Sequence, residues 1–159
     1  MAAYTDSHGF NKGSAAGHPA KGLTRVGYME VDLDFAKITT ARAAAGATAL
    51  AAGDSIEVLS IPANTLVLAV GATTITAEGA ASTFDLGLTG GDVDGFVDGG
   101  DANTAGTTSS NGALLNGDNQ SHYFATADTI DMLIGVSGAV TDAARIKVWA
   151  VVVDCSTVA

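Results

Sequence analysis

The sequence predicts a mainly β protein: an antiparallel β-sandwich of jelly-roll type preceded by an extended N-terminal arm. Three observations carry this. Seven or eight short apolar runs are separated by Gly, Pro, Asn and Asp turn signals, with no strand–helix–strand alternation. Hydrophobic residues make up 47% of the chain, but much of that is alanine and aromatics are only 6%, so the core formers are Val, Ile, Leu and a few Phe. These are gathered in short runs, several alternating with polar residues at period two, as strands do that bury one face. The 159 residues suit one compact domain plus a tail, with core enough to fold without metal or disulfide support.

Residues 1–25 (MAAYTDSHGFNKGSAAGHPAKGLTR) are rich in Gly, Ala and Ser and have no apolar period. Such a segment buries too little surface to offset its ordering entropy and is expected to be flexible alone, folding only against a partner. Fully extended, it reaches roughly 80 Å, far enough to cross onto a neighbouring subunit. The sandwich domain is assigned to residues 26–159.

The first strand is expected from Tyr28, with Met29, Val31, Leu33 and Phe35 on one face and Glu30, Asp32 and Asp34 on the other. Residues 37–52 are alanine-rich and read as a short helix that Gly46 interrupts or ends. Residues 54–61 form a second strand, stopped at Pro62 and turned by Ala63 and Asn64. Residues 66–77 form a long β-branched run in which Gly71 predicts a bulge or bend. Residues 83–88 place Phe84, Leu86 and Leu88 on one face.

Residues 87–118 hold nine glycines, five aspartates and no basic residue. This segment is too long for an ordinary hairpin loop and is expected to be a solvent-facing excursion. Strands resume at 121–125 and 129–136, and a turn at 137–142 leads to 144–154. That last run, ARIKVWAVVVD, passes from alternating to nearly continuous apolar character, the mark of a central strand covered on both faces for part of its length. Ile146, Val148, Ala150 and Val152 share one face. Arg145, Lys147, Trp149, Val151 and Val153 share the other, which begins wet and ends buried, as where another subunit or an arm covers half of it.

The formal charge is −10, and it is unevenly placed. Lys12, Lys21 and Arg25 against Asp6 give residues 1–25 a net +2, leaving −12 on the remainder. A body so acidic repels phosphate backbones, so nucleic acid is not an expected partner. No basic start followed by an apolar run marks a signal peptide, and no apolar stretch is long enough for a membrane-spanning helix. Cys155 is the one cysteine, which excludes an intrachain disulfide and reads as a small apolar residue near the terminus.

Chemistry-bearing patterns are sparse, and no catalytic residue is assigned. His8 and His18 fall in the flexible arm. Ser121 and His122 are adjacent, and neighbouring strand residues point to opposite faces, so they cannot act as a nucleophile–base pair. There is no phosphate loop with a lysine, no nucleophile elbow, and no CxxC or HExxH spacing. The chain is therefore read as non-enzymatic and without a cofactor. One constellation has chemical content: Asp92, Asp94, Asp98 and Asp101, interleaved with glycines, could wrap a calcium ion, which takes six to eight oxygens. The same residues suit a solvated acidic loop in which Gly and Asp make turns. An EF-hand count puts Phe96 at its fifth position and Asn103 at its twelfth, so that pattern fails and the solvated loop is preferred. Trp149, Tyr123 and Phe124 are read as core or subunit contact in preference to a sugar platform.

The run Ile61-Pro62-Ala63-Asn64-Thr65-Leu66-Val67-Leu68 is followed by Thr76-Ala77-Glu78-Gly79, Phe84-Asp85-Leu86-Gly87 and Asp94-Gly95-Phe96-Val97-Asp98-Gly99. Then come Ala125-Thr126-Ala127-Asp128-Thr129-Ile130-Asp131 and Ile146-Lys147-Val148-Trp149-Ala150. This succession, over about residues 50–154, resembles small virion structural proteins of tailed bacteriophages, including the capsid cement or head decoration proteins of marine and cyanobacterial phages. The motifs are turns and strands, and residues 1–25 match none of them. The resemblance implies a homotrimer made in the host cytoplasm and carried on the capsid surface of the virion, with the major capsid protein as partner. The competing expectations are a tail or head-fibre component and a calcium-dependent carbohydrate-binding module.

Overall fold

The computed structural model describes residues 25–79, 81–110, 122–135 and 143–156. The elements follow in the order β1 (Arg25–Asp34), α1 (Phe35–Ala44), β2 (Ser55–Ile61), β3 (Thr65–Thr76), β4 (Thr83–Gly87), β5 (Val97–Asp101), β6 (Thr108–Ser110), β7 (His122–Phe124), β8 (Asp128–Ile134) and β9 (Arg145–Asp154). The predicted arm lies outside the described residues except for Arg25, which opens β1. The turn predicted at 137–142 lies outside them as well.

The strands form two antiparallel sheets. In the first the order is β1-β9-β3-β6, with β7 also on β3; in the second it is β2-β8-β4-β5. The chain changes sheets from β1 to β2, β2 to β3, β3 to β4, β5 to β6, β7 to β8 and β8 to β9. That is the winding of a jelly roll. Both β6 and β7 pair with β3, β6 against Gly71–Thr73 and β7 against Thr65–Val67. They pair along the same edge of β3, opposite the edge taken by β9.

The two inner faces make the core. From the first sheet come Met29, Val31 and Leu33 of β1, Val67, Val70 and Ala72 of β3, and Ile146, Val148, Ala150 and Val152 of β9; from the second come Ile56, Leu59 and Ile61 of β2, Phe84 and Leu86 of β4, and Ile130, Met132 and Ile134 of β8. Each such side chain taken out of water contributes about 1.5–3 kcal/mol. As expected, β9 is central: all ten of its residues pair with β1, and it pairs with β3 on its other side.

The structure corrects four local expectations. β1 starts at Arg25, ahead of Tyr28. Phe35 is the first residue of α1, because the Asp34 side chain accepts the Lys37 N–H at 3.1 Å and caps a helix there. That contact is also the leading reason the Asp34 carboxyl is held below its ordinary pKa. The helix is shorter than the alanine-rich run, and Gly46, with φ +69°, follows its end as predicted. Third, the bulges of β3 lie between Val67 and Ala69 and between Thr74 and Thr76, away from Gly71. Gly71 is small for another reason: it faces Trp149 across the ladder, and an added Cβ would sit 2.5 Å from the indole Cζ2.

The fourth correction concerns residues 87–118. They are no single excursion: β5 and β6 lie within them, and Phe96, Val97 and Ala102 are buried. Gly and Asp suit edge strands that keep one side in water, and their lack of an apolar period hid them. Residues 111–118 lie outside the described residues. One buried acid braces this part of the fold: Glu78, after β3, accepts the N–H of Ala144 at 2.9 Å and of Ala143 at 3.3 Å, holding the chain that leads into β9.

Candidate interaction surface

Residues directly opposite in an antiparallel ladder share a face, so register alone maps the outer side of the first sheet. One row across four strands is Val26, Val153, Leu66 and Tyr123. The next is Tyr28, Val151 and Ala69, then Glu30, Trp149 and Gly71, then Asp32, Lys147, Thr73 and Thr108. The face therefore runs from apolar at one end to charged at the other, as the alternation in β9 predicted.

Among the described residues six large apolar or aromatic side chains are notably exposed, and four stand on the apolar half of this face: Val26 at 67%, Tyr28 at 53%, Tyr123 at 48% and Leu68, in the bulge of β3, at 36%. Val153, between Val26 and Leu66, is buried yet stands apart from the inner core. Polar groups at the patch are tied down. The Tyr123 hydroxyl donates to Asn64 Oδ1 at 2.9 Å. Partial burial and then a hydrogen bond with Glu30 hold the Tyr28 phenol above its ordinary pKa.

The charged half is balanced. The Arg145 guanidinium grips Asp32 with both Nε, 2.9 Å from Oδ1, and Nη2, 2.5 Å from Oδ2. Lys147 Nζ lies 3.4 Å from both Glu30 carboxylate oxygens. Exposed pairs of this kind add at most about 1 kcal/mol each. Their larger effect is to leave this part of an acidic surface locally neutral.

The four aspartates considered for calcium are not brought together as one site. Among the described residues no group of three or more His, Cys, Asp or Glu side chains is placed to hold a metal. Residues 88–96 fold onto themselves, with Leu88 N–H on the Asp92 carbonyl at 2.8 Å and Phe96 N–H on the Leu86 carbonyl at 2.8 Å. Asp94 is pushed above the ordinary carboxylate range, first by a hydrogen bond with the Asp92 side chain. Asp98 is exposed on β5. Asp101 is held low, because its Oδ1 accepts the Asn103 N–H at 2.6 Å. Beneath this loop, Asp131 of β8 is buried. Its Oδ2 accepts the Thr89 N–H at 3.0 Å, and its Oδ1 has no hydrogen-bond partner among the described residues.

The remaining candidates are placed plainly. Ser121 lies outside the described residues. His122 packs edge-on to Phe124, with centroids 4.7 Å apart, and to Phe96 at 6.3 Å. Phe124 is buried while Tyr123 is exposed, so the neighbouring aromatics divide between core and surface. Cys155 is exposed just after β9.

No protein-family model matches the chain, and no curated protein matches it. Solved structures do. A chain of the capsid asymmetric unit of cyanophage Pam1 is similar with a TM-score of 0.52 at 16% identity, over 86% of this chain and 88% of that one. A chain of the capsid of Ralstonia phage GP4 is similar with a TM-score of 0.54 at 15% identity, over 87% and 90%. The fold is one found in phage capsids. The likeness spans nearly the whole of each chain, so it is a likeness of complete domains.

The sequence reading foresaw the covered half of β9 but not that β1 and β3 extend it into a patch. Val26 and Tyr28 carried its signal: they fall on the phase of β1 that holds Glu30, Asp32 and Asp34, where an outward strand face should be polar throughout.

Proposed function

We propose that this chain is a non-enzymatic structural protein of a phage virion, a cement or decoration protein that binds the outside of the major capsid protein shell as a homotrimer. The observation that carries the reading is the whole-domain likeness to chains of two phage capsids. The open apolar face of the first sheet and the lack of a gathered catalytic or metal constellation among the described residues agree with it. A cement protein acts by covering surface that the shell leaves available, and linking several modest contacts through one oligomer raises their joint strength.

Cryo-electron microscopy of particles carrying the chain tests this. Density over the head shell is expected; density at the tail would replace the reading with that of a tail or head-fibre component. In a binding assay with emptied shells, removing residues 1–24, which spares Arg25 of β1, is expected to weaken attachment while the free protein's melting temperature stays nearly unchanged. A large loss of melting temperature would place that segment in the fold.

A further inference from the structure

We infer that the apolar half of the outer face of the first sheet, centred on Val26, Tyr28, Leu66 and Tyr123, is the contact between copies of this chain. The first ground is the distribution of exposed apolar surface. Four of the six most exposed large apolar or aromatic side chains among the described residues stand on this one half-face. The other two, Ile75 and Val93, lie away from it, in the far bulge of β3 and in the loop before β5. Isolated exposed residues are ordinary, whereas a contiguous patch rimmed by polar groups marks an association site.

The second ground is charge, and it selects the occupant. Beyond residue 25 the chain carries −12, so two copies repel each other wherever their surfaces are typical. Only four basic residues lie in that stretch: Lys37 and Arg42 on α1, and Arg145 and Lys147 on this face. Both of the latter are paired with carboxylates of β1, so the border of the patch is close to neutral. A second copy can approach here without like-charge cost, and the apolar rows can then close. A strongly basic partner would be drawn to the acidic surface elsewhere in preference to this neutral half-face.

The third ground is the position of Trp149. It lies between the apolar and charged halves, stacked on Gly71 and half-buried. It is the only tryptophan in the chain, so its fluorescence reports whether the face is covered.

This deepens the self-association in the proposed function, and it is tested on the isolated full-length protein without shells, so its failure leaves attachment to capsids to be judged separately. Mass by light scattering and acrylamide quenching of Trp149 are followed together over the micromolar range. The expected result is a mass of two or three chains, with Trp149 becoming protected from quencher as the protein associates. Tyr28→Glu combined with Val26→Glu, both at exposed positions, should weaken association at least about tenfold and restore quenching. Ile75→Glu and Val93→Glu should leave both unchanged. The far-ultraviolet dichroism of every variant shows whether it is folded. A protein that stays monomeric overturns the inference, whether Trp149 is open, is protected only when shells are added, or is protected at all concentrations until residues 1–24 are removed. Association that persists in the folded double variant overturns it too.

Discussion

The outer faces of the two sheets obey different rules. The second sheet turns Glu57 and Ser60 of β2, Thr129 of β8, Asp85 of β4 and Asp98 of β5 outward, with no basic residue in any of its four strands. The loop over residues 88–96 lies against part of it, pinned to Asp131 through the Thr89 N–H. Its outward face is mostly polar, as expected of a sheet that buries only one side, with Leu133 half-buried opposite Asp85. The first sheet keeps that rule at its charged end and breaks it at the other, where Val26, Tyr28, Leu66 and Tyr123 stand in adjoining rows. One sheet is finished within the chain; the other is half finished. The contrast separates solvent-facing from contact-forming surface without reference to any partner.

The sharpest way to test the frame is on β9, where both rules meet in one strand. Val148 is fully buried between the sheets, and Lys147 is its neighbour on the outer face. Val148→Asp would place an unpaired carboxylate in the core at a cost of several kcal/mol, and it is expected to abolish folding, seen as loss of soluble protein and of β-type circular dichroism. Lys147→Glu sets a third acid beside Glu30 but keeps the charge in water, so the fold should persist with a loss under about 1 kcal/mol. A soluble, well-folded Val148→Asp protein would mean the inside and outside of β9 have been exchanged.

A smaller effect is expected at Glu78, which joins the loop after β3 to the start of β9. Glu78→Ala leaves the amides of Ala143 and Ala144 without their acceptor and should cost about 1–3 kcal/mol in denaturant melts. Glu78→Gln keeps a carbonyl in the same place and should cost less. If the two variants melt alike, the hydrogen bonds are not what Glu78 supplies.

What was legible in the sequence follows the same division. Strands with one inner and one outer face, such as β2 and β9, could be read within a residue of their ends, because burial imprints period two directly. The helix could be located but not started, since its first residue depends on the Asp34 cap and Phe35 also continues the alternation of β1. β5 and β6 were invisible: VDGGD and TSS carry no apolar alternation, and only pairing with β4 and β3 makes them strands. Strand order could not be read at all, because it depends on pairings such as Met29 with Ala150 that no local pattern encodes. Gly71 was legible as special but for the wrong cause, since the Trp149 ring that needs the space is distant in sequence. Of the surface, the charged end of β9 was read correctly. The patch beside it was read only in β9, because its rows also draw one or two residues from each of three other strands.

Calcium tests the claim that the acidic side of the molecule is complete without a partner ion. A ligand that binds only the folded state must raise its melting temperature. Among the described residues no group of three or more His, Cys, Asp or Glu side chains is placed to hold a metal, and melts in millimolar calcium and in chelator are expected to coincide. A rise of several degrees that disappears in Asp94→Ala would reinstate the site.

The smallest effect lies within that loop. Asp94 titrates above the ordinary carboxylate range, first because its side chain hydrogen-bonds with that of Asp92. The sign follows from linkage: a carboxyl whose pKa is raised on folding adds stability below its unfolded pKa, and the contribution is lost as pH rises through the raised folded value. At neutral pH the ionised Asp94 therefore works slightly against the loop's folded form. The consequence belongs in a site-resolved titration and not in a melting curve. Asp92→Ala should bring the Asp94 carboxyl back toward its ordinary value, with a remnant of the rise from the charge of Asp98. Carbon-detected NMR titration of the Asp94 carboxyl in both proteins measures this. Identical curves would mean that the Asp92 contact is not what raises Asp94, and that the loop holds the two side chains apart in solution.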